Sequence, residues 1–370
     1  MKSMIKTVKL LSLLLVIAML FVAAGCSKQD EEPDVEPATT QAETTTEPRT
    51  TTTEPTAEAT TEPVTEATTK ADTRPRGVLN GEVVDKEVLE NPIVGAMIDN
   101  SPPARQQSGV IDADIVFEGF IEGGSTRYMC LFQSKKPDFI GPLRSARPNF
   151  LYRAIEYRPY LAHCGGSGDA NRFIPGNIKS VDGIYVGDGT MWRNYDLGRV
   201  APHNMYTAYD KLVTHAGGRD YVENNTVDFL LFNDEFVKPE GDPATRMDMY
   251  YNDWNWTSYT YNEDSHTYYR YKDGNQHTDL ISGKPIEATN IIVQFAASRV
   301  YDDVGHVEVD QIGEGTGLFF SGGTVQEIHW KKTSIANPTI YYDKDWKQIP
   351  WNPGQTWIQV MNPGSTVNYD

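Results

Sequence analysis

The sequence predicts an α/β or α+β protein, with a layered mixed-sheet N-terminal domain followed by a smaller, mainly antiparallel β-rich C-terminal domain. Up to about residue 240, short runs of β-branched and aromatic residues alternate with helical patterns. Beyond that point Trp, Tyr, Thr and Asn become frequent, and turn sequences separate short strand-like runs without long helical periodicity. The 370 residues, 39% of them hydrophobic, are enough for two such domains.

Residues 1–26 have the pattern of a lipoprotein signal peptide. Three lysines precede an apolar run over 10–24, which is short for a membrane span. Small residues then precede Cys26, as in the lipobox at which bacterial lipoproteins are cleaved and diacylated. We expect Cys26 to become the N-terminus, to carry the fatty-acyl (palmitate) chains and to anchor the protein outside the bacterial cell membrane. The alternative is an uncleaved signal anchor.

Residues 27–76 predict an extended, disordered stalk. They consist almost entirely of Thr, Glu, Pro and Ala, with 12 acidic and 5 basic side chains. Such a segment has little to bury, and charge repulsion and proline keep it extended. We expect it to separate the membrane from the two folded domains, 77–240 and 241–370.

Apolar runs in the first domain predict strands over 92–99, 114–121, 126–133, 160–164 and 227–232. The second and third runs are joined by Glu-Gly-Gly-Ser and are expected to pair as a hairpin. Helical spacing predicts a helix over 145–157 with Ser145 as its N-cap, and another over 208–216 that two glycines end. In the second domain we expect strands over 268–271, 290–296, 317–320, 324–330 and 357–360.

Aromatic residues are concentrated in the second domain. They either pack in the cores of strands, as aromatic residues more often do, or form a surface on which carbohydrate stacks. The tryptophans concerned are Trp254, Trp256, Trp330, Trp346, Trp351 and Trp357.

The net charge of −18 argues against a broad nucleic-acid-binding surface, because the field repels phosphate. Residues 105–199 nevertheless contain nine arginines and three lysines. Arginine suits planar, bidentate recognition of carboxylate or phosphate. The bias predicts either a local anion site or a buried ion-pair network, and the sequence leaves both open. The acidic partners in such a network would be Asp99, Asp114, Glu118 and Glu122.

The candidate ligand-binding residues follow predicted strands or lie in loops rich in glycine and proline, where binding sites are commonly built. They are Asp99, Asn100, Arg105, Arg127, Arg144, Arg147, His163, His203 and Asn204. Arg144 and Arg147 would form an anion-binding corner with the N-terminus of the helix that follows.

His163 is the candidate catalytic base, because it precedes Cys-Gly-Gly-Ser, whose glycine N–H groups can hold an oxyanion. Glu118 or Glu122 would orient its imidazole. Ser167 lacks the context of a nucleophile elbow. A metal site would combine His163 and His203 with Asp99 and one glutamate, but no HExxH-like pair supports it. No metal or cofactor is predicted.

The two cysteines of the first domain are expected to be free thiols. Cys130 lies in an apolar stretch and Cys164 at the end of a strand. A disulfide between them is geometrically possible in an oxidising envelope.

Several of these motifs together resemble the YerB-like lipoproteins. The segments that carry the resemblance are 97–127, 141–147, 163–167, 201–206 and 352–360. The resemblance implies a layered α/β first domain and a smaller β-rich second domain on a lipid anchor. It implies no activity, because the function of that family is unknown.

Three functional hypotheses follow. In the first, a non-catalytic envelope protein binds an anionic small molecule, a wall polymer or the carboxylates of a protein partner through the arginines. In the second, an envelope hydrolase or transferase uses His163, arginines and a glutamate. In the third, the protein is a structural partner in an envelope complex, with the aromatic second domain as its interface.

Overall fold

A computed structural model of the protein describes residues 73–217 and 227–370. The predicted signal peptide, Cys26 and the stalk up to residue 72 lie outside the described residues. Within the two described ranges, none of the helices has the length and apolar composition that crossing a bilayer requires. All the described residues belong to one compact unit.

The described helices are α1 (Pro148–Tyr157), α2 (Gly168–Phe173) and α3 (Tyr209–Gly217), with short 3₁₀ turns at Lys86–Glu90, Pro102–Ala104, Val110–Asp112 and Glu122–Gly124. The strands before residue 241 are β1 (Val94–Asp99), β2 (Ile115–Phe120), β3 (Thr126–Phe132), β4 (Tyr160–His163), β5 (Ser180–Asp182), β6 (Met191–Arg193) and β7 (Met205–Thr207). The later strands are β8 (Asp242–Pro243), β9 (Arg246–Asn252), β10 (Asn255–Asn262), β11 (Thr267–Lys272), β12 (Asn275–Gln276), β13 (Glu287–Ala288), β14 (Asn290–Phe295), β15 (Ser298–Val300), β16 (Val307–Val309), β17 (Gly313–Ser321), β18 (Thr324–Lys332), β19 (Ile340–Tyr342), β20 (Thr356–Met361) and β21 (Val367–Tyr369).

A long mixed sheet dominates the fold and confirms the predicted α+β class. Its strands follow the order β19-β18-β17-β14-β20-β2-β3-β1-β4-β5, with β8 beside β18. Parallel pairing joins β14 to β20, β20 to β2, β1 to β4 and β4 to β5. The domain boundary near residue 241 stays a prediction, since strands from both sides of it share this sheet.

A second, antiparallel sheet covers one face of the main sheet. Its strands follow the order β12-β11-β10-β9-β21, with β13 beside β11. Their apolar side chains pack in one cluster with Val116, Tyr128 and Trp357 of the main sheet. The opposite face of the main sheet packs against α1 through Phe117 and Met129. We call these the second-sheet face and the helix face.

Most local predictions for the first domain are confirmed. Strands β1 and β4 and helix α3 form where the sequence predicts them, and β2 pairs with β3 as a hairpin. Among the tryptophans, Trp330, Trp351 and Trp357 are buried in the core, whereas Trp254 and Trp346 are largely exposed.

Two local predictions are wrong. The segment 227–232 is not a strand: Phe232 makes an isolated bridge with Trp351 and packs its ring against the indole. Ser145 does not cap α1, because its hydroxyl donates to the carbonyl of Cys164. The chain stays extended as far as Arg147, which occupies the N-cap position, and Pro148 begins the helix.

A buried ion pair links the two sheets. Arg270 on β11 donates to Glu118 on β2 over 2.6 Å, and both side chains are 0% exposed. The guanidinium also donates to the hydroxyls of Tyr259 and Thr257 and lies 4.3 Å from the centre of the Trp357 ring. Since a buried charge is costly unless it is paired and hydrogen-bonded, these contacts fix how the sheets pack.

Removing one member of this pair should be far more damaging than removing both charges. We expect Arg270→Met to lower the free energy of unfolding by about 3–5 kcal/mol, because it leaves the Glu118 carboxylate buried without its partner. The double variant Glu118→Gln/Arg270→Met should recover much of that loss. Urea unfolding of the chain from Ser27 to Asp370 measures both, and equal losses in the two variants would contradict this account.

Candidate functional site

Three strand ends meet at one edge of the main sheet. Strands β1 and β4 are parallel, so their carboxyl ends deliver Asp99 and His163 to the same edge. Strand β3 is antiparallel to β1 and begins there, with Arg127 directly opposite Asp99. The edge therefore collects polar side chains that are far apart in the sequence.

The loop before α1 is held between these strand ends by backbone hydrogen bonds. The N–H of Arg144 donates to the carbonyl of Met97, and that of Cys164 donates to the carbonyl of Arg144. The N–H of Ala146 in turn donates to the carbonyl of Gly165. These hydrogen bonds bring the side chains of Arg144 and Arg147 to the edge where Arg127 lies.

Asp99 is a buried carboxylate with several donors. Nδ1 of His203 lies 2.7 Å from its Oδ2, and Nε of Arg144 donates to the same oxygen over 3.2 Å. The backbone N–H and hydroxyl of Ser101 donate to Oδ1. The structure thus brings together Asp99, Arg144 and His203, three of the nine candidate ligand-binding residues.

Arg147 and Glu122 form a second ion pair at the start of α1. The guanidinium donates through Nε and Nη2 to the two oxygens of the carboxylate, which is the bidentate geometry. Burial alone raises the pKa of Glu122, but the hydrogen bond and charge of Arg147 outweigh it and lower that pKa. Nε2 of His306 lies 3.5 Å from the same carboxylate.

Arg127 differs from its neighbours because it has no carboxylate bonded to it. Its side chain is 3% exposed, and Nη1 donates to the backbone carbonyl of Ser145 over 2.6 Å. Its Nε is buried without a hydrogen-bond partner among the described residues. Burial and the charges of Arg147 and Arg144 lower the pKa of Arg127 to about 9, so it remains protonated at neutral pH.

Asn100 and Arg105 belong to a different cluster, on the second-sheet face. Nδ2 of Asn100 donates to the Thr126 hydroxyl and, over 3.2 Å, to Glu118. Nε of Arg105 donates to the carbonyl of Asn100, and its Nη1 pairs with Asp273. Asn100 thus contacts the ion pair that links the sheets, and Arg105 contacts Asn100. The structure does not gather them with Arg127 and Arg144.

His163 is buried and hydrogen-bonded to the backbone. Its Nδ1 lies 2.8 Å from the carbonyl of Gly165 and 3.9 Å from the nearer oxygen of Asp182. Burial lowers the pKa of this imidazole, so it is neutral at pH 7. The carboxylates of Glu118 and Glu122 are bonded elsewhere, and neither orients the ring.

Asn204 positions the 199–204 loop. Its Oδ1 accepts from Arg193, and its Nδ2 donates to the carbonyl of Arg199 over 3.3 Å. Within residues 73–217 and 227–370, no group of three or more His, Cys, Asp or Glu side chains is arranged to hold a metal ion. Cys130, which is buried, and Cys164, which is half-buried, are free thiols in the described structure, as expected.

Two important residues of this region were missed by the sequence analysis. Arg270 lies in the second domain, and its partner Glu118 is 152 residues away. His277 bridges that guanidinium to the loop after β1: Arg270 donates to its Nδ1, and its Nε2 donates to Gln107. An arginine in a short, otherwise aromatic strand was the available sequence signal for this buried cluster.

Comparisons with known proteins define the family. Residues 79–222 match the N-terminal domain, and residues 247–358 the C-terminal domain, of the "Protein of unknown function (DUF3048)" family. The chain therefore belongs to that family. It is 34% identical over 286 residues to the "Putative lipoprotein YerB" of Bacillus subtilis (strain 168), covering 76% of this chain and 85% of that protein. The crystal structure of Bacillus subtilis YerB matches with a TM-score of 0.72 at 30% identity, over 80% of this chain and all of that one.

The neutral state of His277 should make stability depend on pH. Burial and the charge of Arg270 hold the pKa of His277 well below 6.5 in the folded chain. Below about pH 6.5 the unfolded chain therefore binds the extra proton, and the free energy of unfolding falls by about 1.4 kcal/mol per pH unit as pH falls.

His277→Gln supplies a similar acceptor and donor without a titrating group. Between pH 7.5 and 5.5 we expect this variant to lose less stability in urea unfolding than the unaltered chain. The reason is that the contribution of His277 to the pH dependence has been removed, while that of His163 remains. His329→Gln removes a histidine that stacks on Trp346 instead, and serves as the control. Parallel pH profiles of His277→Gln and the unaltered chain would refute the assignment.

Proposed function

We propose that this chain is a lipid-anchored envelope protein that binds an anionic group through Arg127 and Arg144. The observation that carries the proposal is the state of Arg127. Its guanidinium is buried, is bonded to one backbone carbonyl and stands beside two further arginines. A buried charge in that state is costly, and an added anion would supply both the missing acceptor and the opposite charge.

The neighbouring arginines divide into two kinds. Arg147 is bidentate with Glu122 and Arg105 pairs with Asp273, so both fit the ion-pair network that the sequence analysis also considered. Arg144 is partly exposed and donates only its Nε to Asp99. Its terminal nitrogens have no hydrogen bond within the described structure. Arg144 can therefore contact a ligand from solvent while Arg127 holds the ligand's inner oxygen.

The chemistry of the site favours a carboxylate or phosphate group. Guanidinium groups match the planar fork of such oxyanions. The group can belong to a small molecule, to a wall polymer or to the carboxylates of a protein partner. The hydrolase or transferase hypothesis has no comparable support, because Nδ1 of His163 is bonded to a backbone carbonyl and lies beyond hydrogen-bonding distance of Asp182.

The lipid anchor is supported by the lipobox at Cys26 and by the name of the Bacillus relative, which describes that protein as a lipoprotein. An anchor and stalk would keep the arginine site outside the membrane and close to the wall.

Anion binding should depend on Arg127 without the fold depending on it. With inorganic phosphate as probe, we expect a thermal shift and calorimetric binding for the chain from Ser27 to Asp370. At a hundred times the dissociation constant the added stability is about 2.7 kcal/mol. Arg127→Met and Arg144→Met should each abolish the shift, whereas Arg246→Met, an exposed arginine paired with Asp248, should keep it.

Without phosphate, Arg127→Met should be at least as stable as the unaltered chain, because methionine fills the site without an unpaired buried charge. A large loss of stability together with an unchanged phosphate shift would overturn the proposal, since Arg127 would then be holding the fold.

Lipid attachment is tested separately. In the producing bacterium, Cys26→Ser should abolish labelling by an alkyne palmitate analogue and move the protein from the membrane fraction to the soluble fraction. Cys164→Ser is the matched control and should stay labelled and membrane-bound. A labelled Cys26→Ser protein would show that the lipid lies elsewhere.

A further inference from the structure

A separate cavity of about 250 Å³ lies between the first turns of α1, helix α2 and the β15–β16 hairpin. Three aromatic side chains line it, from Tyr152 on α1, Phe173 on α2 and Tyr301 on the hairpin. The rings of Tyr152 and Phe173 meet edge to face with their centres 5.5 Å apart. The remaining lining residues are Pro148, Asn149, Asp169, Val307, Glu308 and Val309.

The charged groups that line this cavity are hydrogen-bond acceptors. Asp169 and Glu308 contribute carboxylates, and their charges, after burial, raise the pKa of Tyr152. The hydroxyl of Tyr301 already donates to Asp169. Arg172 and Arg299 pair with these two carboxylates but are themselves largely exposed and do not line the cavity. The cavity therefore combines aromatic walls with two carboxylates that are about half exposed.

Asn149 adds an independent observation. It lines the cavity, is 7% exposed, and donates its Nδ2 to the carbonyl of Phe120. Its Oδ1 is buried without a hydrogen-bond donor among the described residues. A buried acceptor without a donor is rare in folded proteins, and a hydrogen-bond donor brought next to it would be stabilised there.

We propose that this cavity binds a primary ammonium group on a short alkyl chain, such as the end of a lysine-type side chain. The ammonium group would donate to Asp169 and Glu308 and lie against the faces of Tyr152 and Tyr301, where cation–π attraction adds to the ion pairs. The alkyl chain would contact Phe173. At about 30 Å³ for each water, the cavity has the volume of roughly eight waters. A short alkylamine fits within that volume.

This site is distinct from the arginine site in its chemistry. The arginine site presents guanidinium donors to an anion, whereas this cavity presents acceptors and aromatic faces to a cation. A change in phosphate binding therefore neither supports nor contradicts the cation site.

The test uses n-pentylamine, which is charged at neutral pH, and 1-pentanol, which has the same chain without the charge. We expect a ligand-observed NMR titration of the chain from Ser27 to Asp370 to show saturable binding of the amine and much weaker binding of the alcohol. Glu308→Gln and Asp169→Asn should each weaken amine binding by up to about fivefold and leave the alcohol unaffected. Tyr152→Leu should weaken it by about twofold to thirtyfold.

Asp310→Asn is the matched control for Glu308→Gln. Both acids pair with Arg299 on the same hairpin and are about half-exposed, but Asp310 does not line the cavity. Asp310→Asn should leave amine binding unchanged, and equal effects of the two variants would overturn the proposal. Equal binding of amine and alcohol would also overturn it, as would binding of methyl glucoside in place of the amine. Circular-dichroism melting confirms that the variants are folded.

Discussion

The structure depends on the buried ion pair between Arg270 and Glu118. Because the guanidinium is wholly removed from water, each of its donors requires an acceptor, and those acceptors come from both sheets. A chain of hydrogen bonds extends from Arg270 to the edge of the main sheet where the candidate residues lie. His277 is hydrogen-bonded to both Arg270 and Gln107, and Gln107 donates to the backbone carbonyl of Asp99. The packing of the second sheet thus helps to fix the strand end on which Arg144 and His203 converge.

The alternation of side chains along the strands explains why the candidate residues separate into two clusters. On β2 and β3, Phe117, Met129 and Leu131 lie on the helix face, whereas Val116, Tyr128 and Cys130 lie on the second-sheet face. Arg127 shares the parity of Met129 and therefore faces α1, whose N-cap residue is Arg147. Glu118 shares the parity of Val116 and faces Arg270. His163 lies two residues after Leu161 on β4 and therefore also on the helix face. A glutamate on the second-sheet face cannot orient it.

The alternation within each strand follows from the sequence alone, but the pairing of β2, β3, β1 and β4 decides which of their sides share a face, and only that pairing separates Glu118 from His163. The hairpin, β1, β4 and α3 were also predictable, because each depends on local periodicity and nearby turn residues. The segment 227–232 was not, since its apolar residues pack on Trp351 without joining a sheet. The pairing of Arg270 with Glu118 was equally inaccessible, because a single sequence carries no information on contacts between residues so far apart. Clustered arginines indicated the region of the proposed site, but not which of them have internal partners.

The charges at the edge limit what the proposed arginine site would bind. Three guanidiniums, Arg127, Arg144 and Arg147, stand with two carboxylates, Asp99 and Glu122, each of which already pairs with one arginine. Among these five side chains one positive charge is left, and it is on Arg127, the most deeply buried of the three guanidiniums. Folded chains place a charge where an apolar residue would be more stable mainly at functional sites. In the proposed site, a group with one negative charge would balance this excess, whereas a more highly charged ligand would have to keep its other charges toward Arg144 and solvent.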